Sequence, residues 1–281
     1  MKLNKIRFTS FVTACPERWR FPLWVLGGVC WAIVFPACES TTELEVSPAR
    51  AIIEAIMPVG EPIEIHVSKE ILFKRDEADS IFDLSGLAIT MNDGTETFML
   101  SDVGDGVYQS ERLVEIGKTY SLSFEYSGAP ISSETLTPTT PTGFSVSDTE
   151  ITIPPLTGGG RPTSFGENLD LKWTNTDGSS YLVVVENLES NPAAINTSGF
   201  ARPSFRSEPL TADNYQVRAT QFQYYGLHAV ILFKVNPDYA ALYEDPGDNS
   251  LTIKSPFTNV KNGLGIFTAV NSDTLWVRVV Q

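Results

Sequence analysis

Over most of this chain apolar residues recur at every second position, a period that only an extended strand with one buried face satisfies. Ile63, Ile65 and Val67 alternate with Glu64, His66 and Ser68, and Leu87, Ile89 and Met91 repeat the pattern. Asn92-Asp93-Gly94 then supplies a turn that tolerates positive φ, before Thr97–Leu100 runs back. Tyr120, Leu122, Phe124 and Tyr126 present one aromatic face, with Thr119, Ser121, Ser123 and Glu125 on the other. Leu169, Leu171 and Trp173 alternate with Asp170, Lys172 and Thr174, and Tyr215, Val217 and Ala219 follow suit. Tyr181–Val185 is apolar on both faces and predicts a central strand; Leu227–Val235 predicts the most buried one. Asn236 is placed to cap a short helix near 237–243, with Pro237 at its first position. Tyr239, Leu242 and Tyr243 then fall on one side of that helix and predict cover for an apolar edge. A final strand is predicted over Thr274–Val280. The pattern predicts an all-β fold built from β-sandwiches.

The N-terminus departs from this. Residues 1–20 carry Lys2, Lys5, Arg7, Arg18 and Arg20, and Phe21–Ala37 has no charge at all. A positive segment, an apolar segment and a small residue before Cys38 describe a secretory signal peptide over 1–37. Phe35-Pro36-Ala37-Cys38 resembles the lipobox of bacterial lipoproteins, with Phe35 where leucine is usual and an atypical Pro36. The uncharged run is short for a membrane span, which needs ~20 apolar residues. The expectation is cleavage before Cys38, diacylglycerol on that cysteine, and a lipidated tether over 38–46. The acyl chains of that lipid suffice for anchoring, since each buried methylene contributes roughly 0.8 kcal/mol.

Charge and cysteine usage narrow the possible functions. The chain has 20 basic and 34 acidic residues; loss of the signal removes five and one, leaving a net charge of −18. Such a surface argues against nucleic acid and against adsorption to anionic lipid. Cys15, Cys30 and Cys38 are the only cysteines, so the body has neither a disulfide framework nor thiolate metal ligands. Leu136–Gly143, LTPTTPTG, suits a stiff extended linker or a shared edge. It divides the body into an immunoglobulin-like sandwich over 47–141 and a second β domain over 142–281. The strand–Trp–turn–Tyr-strand order of the second resembles the early strands of fibronectin type III domains.

No constellation for catalysis emerges. His66 lies on the polar face of its strand, and His228 shares a face with Val230, Leu232 and Lys234; two distant histidines do not make a zinc site. There is no G-x-S-x-G elbow, and Thr157–Pro162 reads as a flexible glycine loop, lacking the ending of a phosphate cradle. Asp102–Gly106 and Glu244–Asp248 read as acidic turns, with calcium conceivable at either. Neither a catalytic residue nor a cofactor is expected. One aromatic tract, Phe222, Tyr224 and Tyr225, is a contact candidate: on an exposed loop it would stack on sugar or peptide, and the plainer alternative is burial between strands.

Near the C-terminus, Pro256 and Asn259 precede Asn262-Gly263-Leu264-Gly265-Ile266-Phe267 and a last strand. This resembles the closing motif of a Bacteroidota lipoprotein family, domain of unknown function 4249. Gly106–Tyr108 and Gly117–Tyr120 also match its order of short motifs, so the resemblance spans nearly all of the mature chain. In physical terms, Gly263 and Gly265 would let the backbone turn while Leu264, Ile266 and Phe267 pin the tail to the core. The family implies the outer membrane, with the face unresolved, and association with TonB-dependent receptors. It implies no catalytic residues. The leading expectation is a non-enzymatic accessory lipoprotein of nutrient uptake. The alternatives are a structural or adhesive surface protein and, behind it, a cryptic hydrolase.

Overall fold

The computed structural model describes residues 49–71, 84–155, 166–195, 202–244 and 257–281. Cys38, the signal segment, the tether and the Thr157–Pro162 loop lie outside them, as do Asp245–Asp248 and Pro256. The chain is mostly strand, as the alternation predicts. In order come β1 (Ala51–Pro58), β2 (Pro62–Lys69), β3 (Thr90–Asn92), β4 (Thr97–Met99), β5 (Ser101–Gly104), β6 (Val107–Leu113), β7 (Thr119–Tyr126) and β8 (Ala129–Leu136). Beyond the Pro/Thr stretch follow β9 (Thr142–Val146), β10 (Glu150–Thr152), β11 (Leu169–Thr174), β12 (Ser180–Asn187), β13 (Ser204–Arg206) and β14 (Asn214–Val217). The chain closes with β15 (Gly226–Val235), helix α1 (Pro237–Ala240) and β16 (Leu264–Val280).

One sheet organises the body. Its strand order is β13-β12-β15-β16-β1-β2-β6-β5, with β10 also paired to β16. Two smaller sheets, β4-β3-β7-β8 and β14-β11-β9, complete the fold. Ile53, Met57, Ile65 and Tyr108 of the large sheet share one core with Met91, Leu122 and Ile131 of the first small sheet. Val183, Val230, Leu232 and Val277 share a second core with Leu169, Leu171, Trp173 and Val217. Both cores are sandwiches, and both use the same large sheet.

That sharing changes the meaning of the expected boundary at 141/142. The segment from Ser47 to Gln281 is one compact unit. Val260, Phe267 and Ala269, from the expected second domain, sit in the first core. The cause is β16, which is 17 residues long and so extends well upstream of the predicted Thr274–Val280. Its first half pairs in parallel with β1, from Ile52↔Leu264 to Pro58↔Val270, and its second half pairs antiparallel with β15. The Pro/Thr stretch is correspondingly tied down. Thr137 donates through its amide to Lys118 O, and Asn271 Nδ2 donates to Pro138 O at 3.0 Å. Of the two readings of this stretch, the shared edge is what these bonds describe.

The closing motif acts as a fastener. Asn262, at φ 58°, makes the turn and donates to Pro130 O at 2.7 Å. Asn259 accepts from Phe267 N and donates to Phe267 O, pairing with the strand as a neighbouring backbone would. Gly265, at φ 94°, sits within the strand, and a Cβ there would lie 2.0 Å from Ile53 O. Gly263 has no positive φ; its need is space, because a Cβ would meet Val260 Cγ1 at 2.8 Å. Gly263 lies in the bend that follows Asn262, and close approach is a further demand at both glycines.

Asn236 is also corrected. It occupies the residue before α1, but its side chain makes no capping bond. Instead Nδ2 donates to Thr135 Oγ1, Leu136 O and Ala269 O, joining β8 to β16. Tyr239 alone supplies the expected apolar cover, packed with Leu182, Val235, Ile266 and Val270 on the outer face of the large sheet. Leu242 and Tyr243 are exposed.

Candidate functional site

The aromatic tract does not form an external platform. Phe222 is only 3% exposed and belongs to the second core. Its ring meets that of His228 edge-on, with centroids 5.3 Å apart. Tyr225 packs on the same core and donates its hydroxyl to Ile153 O at 2.9 Å. Tyr224 is half-buried and bridges to Ala194. Of the two expected readings, burial describes Phe222, which is corrected as a contact candidate; Tyr224 and Tyr225 are half-buried, as are Gln221 and Gln223 beside them.

Both histidines are structural. His66 is exposed and pairs with Glu64 at 2.9 Å. His228 is buried; its Nδ1–H donates to Gly226 O, and Nε2 accepts from Asn187 Nδ2. Burial pushes its imidazole below the ordinary histidine value, so it is neutral at neutral pH. The described acidic turn is likewise self-contained. Asp102 accepts from the amides of Gly86 and Gly104, which hold its carboxyl below the usual range. Among the described residues no group of three or more His, Cys, Asp or Glu converges on a metal position.

β13 is the outermost strand of the large sheet and pairs only with β12 among the described residues. The register Val184↔Arg206, Val185↔Phe205, Glu186↔Ser204 is continued by Asn187 N–H donating to Pro203 O and Ser207 N–H to Val183 O. Antiparallel strands alternate bonded and non-bonded pairs, so Phe205 points its amide and carbonyl toward β12. Ser204 and Arg206 point theirs away. Among the described residues no strand pairs with that outward row.

Across from this edge runs the turn Ala219–Gln221, and between them lies a groove of about 780 Å³. Thr220, Gln221 and Gln223 form its far wall. Phe205 stacks on Tyr215 of β14, with centroids 6.3 Å apart and rings 21° from parallel, and both pack against the second core. Arg202 and Arg206 line the near wall, and neither forms an ion pair among the described residues. A second groove lies over Asp170, Lys172, Asn214 and Gln216, where Gln216 Nε2 donates to Asp170 Oδ1 at 2.8 Å; in the β13 groove Gln221 Nε2 likewise donates to Tyr215 Oη and Gln223 Nε2 to Thr220 O. The β13 groove thus combines a strand edge with no second partner among the described residues and two exposed guanidinium groups. Its described lining includes the hydroxyls of Ser204 and Thr220 and no His, Cys, Asp or Glu. Sequence reading missed it, because edge status depends on which strands pair, and only the short run Arg202–Arg206 hints at it.

A scan against protein-family models gives no match, and no curated protein is found to be similar.

Proposed function

We propose that this protein is a lipid-anchored accessory protein of an outer membrane that works by binding, alongside a TonB-dependent receptor in nutrient uptake. The observation that carries the binding role is the open β13 edge with its groove, set on a body whose two cores are joined by one strand. A platform of that kind holds its binding elements in fixed geometry, which limits the ordering cost of association. The anchor rests on Cys38 and the segment before it, and the outer membrane and receptor rest on the resemblance around Asn262–Phe267. The described residues offer catalysis no convergent set of groups.

Mild-detergent purification of the tagged full chain from native membranes tests this reading. The expected result is recovery of an outer-membrane receptor, and loss of the chain from the membrane fraction in Cys38→Ser. Recovery of the chain alone, in repeated preparations that keep known complexes intact, would overturn the receptor association. Retention of Cys38→Ser in the membrane would overturn the anchor.

A further inference from the structure

We infer that the β13 edge takes up an extended peptide segment bearing acidic side chains, which adds to the large sheet as a further strand. The inference rests on the reading of the body as a binding platform, but it does not depend on the receptor or the anchor. Its first support is backbone geometry. The outward amide and carbonyl groups of Ser204 and Arg206 make the template that strand addition uses, in which main-chain bonds supply affinity and alternate side chains supply specificity. The second is charge. In a chain with 34 acidic and 20 basic residues, Arg202 and Arg206 stand within one short stretch, exposed and without an ion-pair partner among the described residues.

A guanidinium fork matches a carboxylate in bidentate geometry, and a strand beside β13 brings every second side chain to the same face as Arg206. Glutamate or aspartate at alternate positions therefore suits it. The opposite wall, Thr220, Gln221 and Gln223, confines the incoming segment, its amide side chains being held by their own bonds to Tyr215 and Thr220. The contrary reading is protective: charged residues on an edge strand discourage unwanted pairing. Both readings use the same arginines, and they differ in what a matched peptide does.

The test uses the full chain in detergent and a synthetic peptide of alternating threonine and glutamate, with affinity measured by fluorescence anisotropy. Strand addition predicts saturable binding, weakened roughly tenfold by Arg202→Glu and by Arg206→Glu, as expected for loss and reversal of a charge contact. It also predicts loss of binding when alternate backbone amides of the peptide are N-methylated, because methylation removes the ladder donors. On the protein side, Ser204→Pro removes one outward N–H while leaving the β12 ladder intact, and should weaken binding where Ser204→Ala does not. Absence of binding overturns the inference in favour of a protective edge. Equal binding of a threonine–lysine peptide overturns the acidic preference. Undiminished binding of the N-methylated peptide overturns strand addition and leaves an ionic contact. If Ser204→Pro fails to fold, the N-methylated peptide still decides.

Discussion

The two halves of β16 obey different rules. Between Leu264 and Val270 the strand lies parallel to β1, and Ile266, Phe267, Thr268, Ala269 and Val270 are buried in unbroken succession. Between Asn271 and Val280 it lies antiparallel to β15, where Trp276 is 58% exposed between the half-buried Leu275 and the fully buried Val277. Buried parallel pairing needs apolar residues on both faces, whereas an antiparallel pair can leave one face to water. The first half fastens the chain's end to its beginning. The second half finishes a sandwich whose far edge stays open for contact.

The largest effect is expected at Gly265. A valine there would drive its Cβ into Ile53 O and force a branched side chain into positive φ. We expect Gly265→Val to lose more than about 5 kcal/mol, enough to prevent folding, read as loss of the urea transition. Phe267→Ala comes next, because the ring is fully buried in the first core; the expected cost is about 3–5 kcal/mol in urea denaturation. Asn236→Ala removes the side chain that joins β8 to β16 and leaves carbonyls of Leu136 and Ala269 short of a donor. A loss of about 1–3 kcal/mol is expected there.

A smaller effect links each sandwich to pH. The Asp93 carboxyl is held low chiefly by the Thr95 hydroxyl, then by the Glu96 amide and the Lys118 ammonium. Asp177 is held low chiefly by Lys234, then by Ser179. A depressed carboxyl stabilises the fold above its unfolded value, near pH ~4, and that contribution disappears as pH falls through the folded value. Urea midpoints should therefore decline below about pH 4, and Asp93→Asn and Asp177→Asn should each flatten the decline. Smallest of all is Trp276→Ala, in the same strand as Phe267 but exposed: we expect a change within about 0.5 kcal/mol. A loss comparable to that of Phe267→Ala would remove the contrast between the halves.

Alternation revealed what alternates. β2, β7, β11 and the second half of β16 show period two because one face meets water, and in β2, β7 and β11 the buried residues fall on the predicted faces. The first half of β16 escaped because a strand buried on both faces has no period to read. The glycines of the closing motif were visible, but their function was not, since close approach depends on a partner strand more than 200 residues upstream at Ile53. Asn236 misled for a related reason: a helix-capping position is a local signal, while its side chain answered to Thr135 and Ala269. The candidate site was least legible. Phe222 drew notice as an aromatic residue, yet the groove is built from its neighbours Gln221 and Gln223 and from Arg202 and Arg206, whose exposure follows from sheet order alone.

In this fold β16 runs through both cores, so the two should unfold together. Native-state hydrogen exchange of the full chain, followed by mass spectrometry at increasing denaturant, tests this most directly. Peptides covering β1 and β15 should merge onto one opening reaction with the same denaturant dependence, and Phe267→Ala should lower both. If β1 exchanges through its own opening while β15 stays protected, and Phe267→Ala lowers only the first, the chain carries two independent domains and the account is wrong.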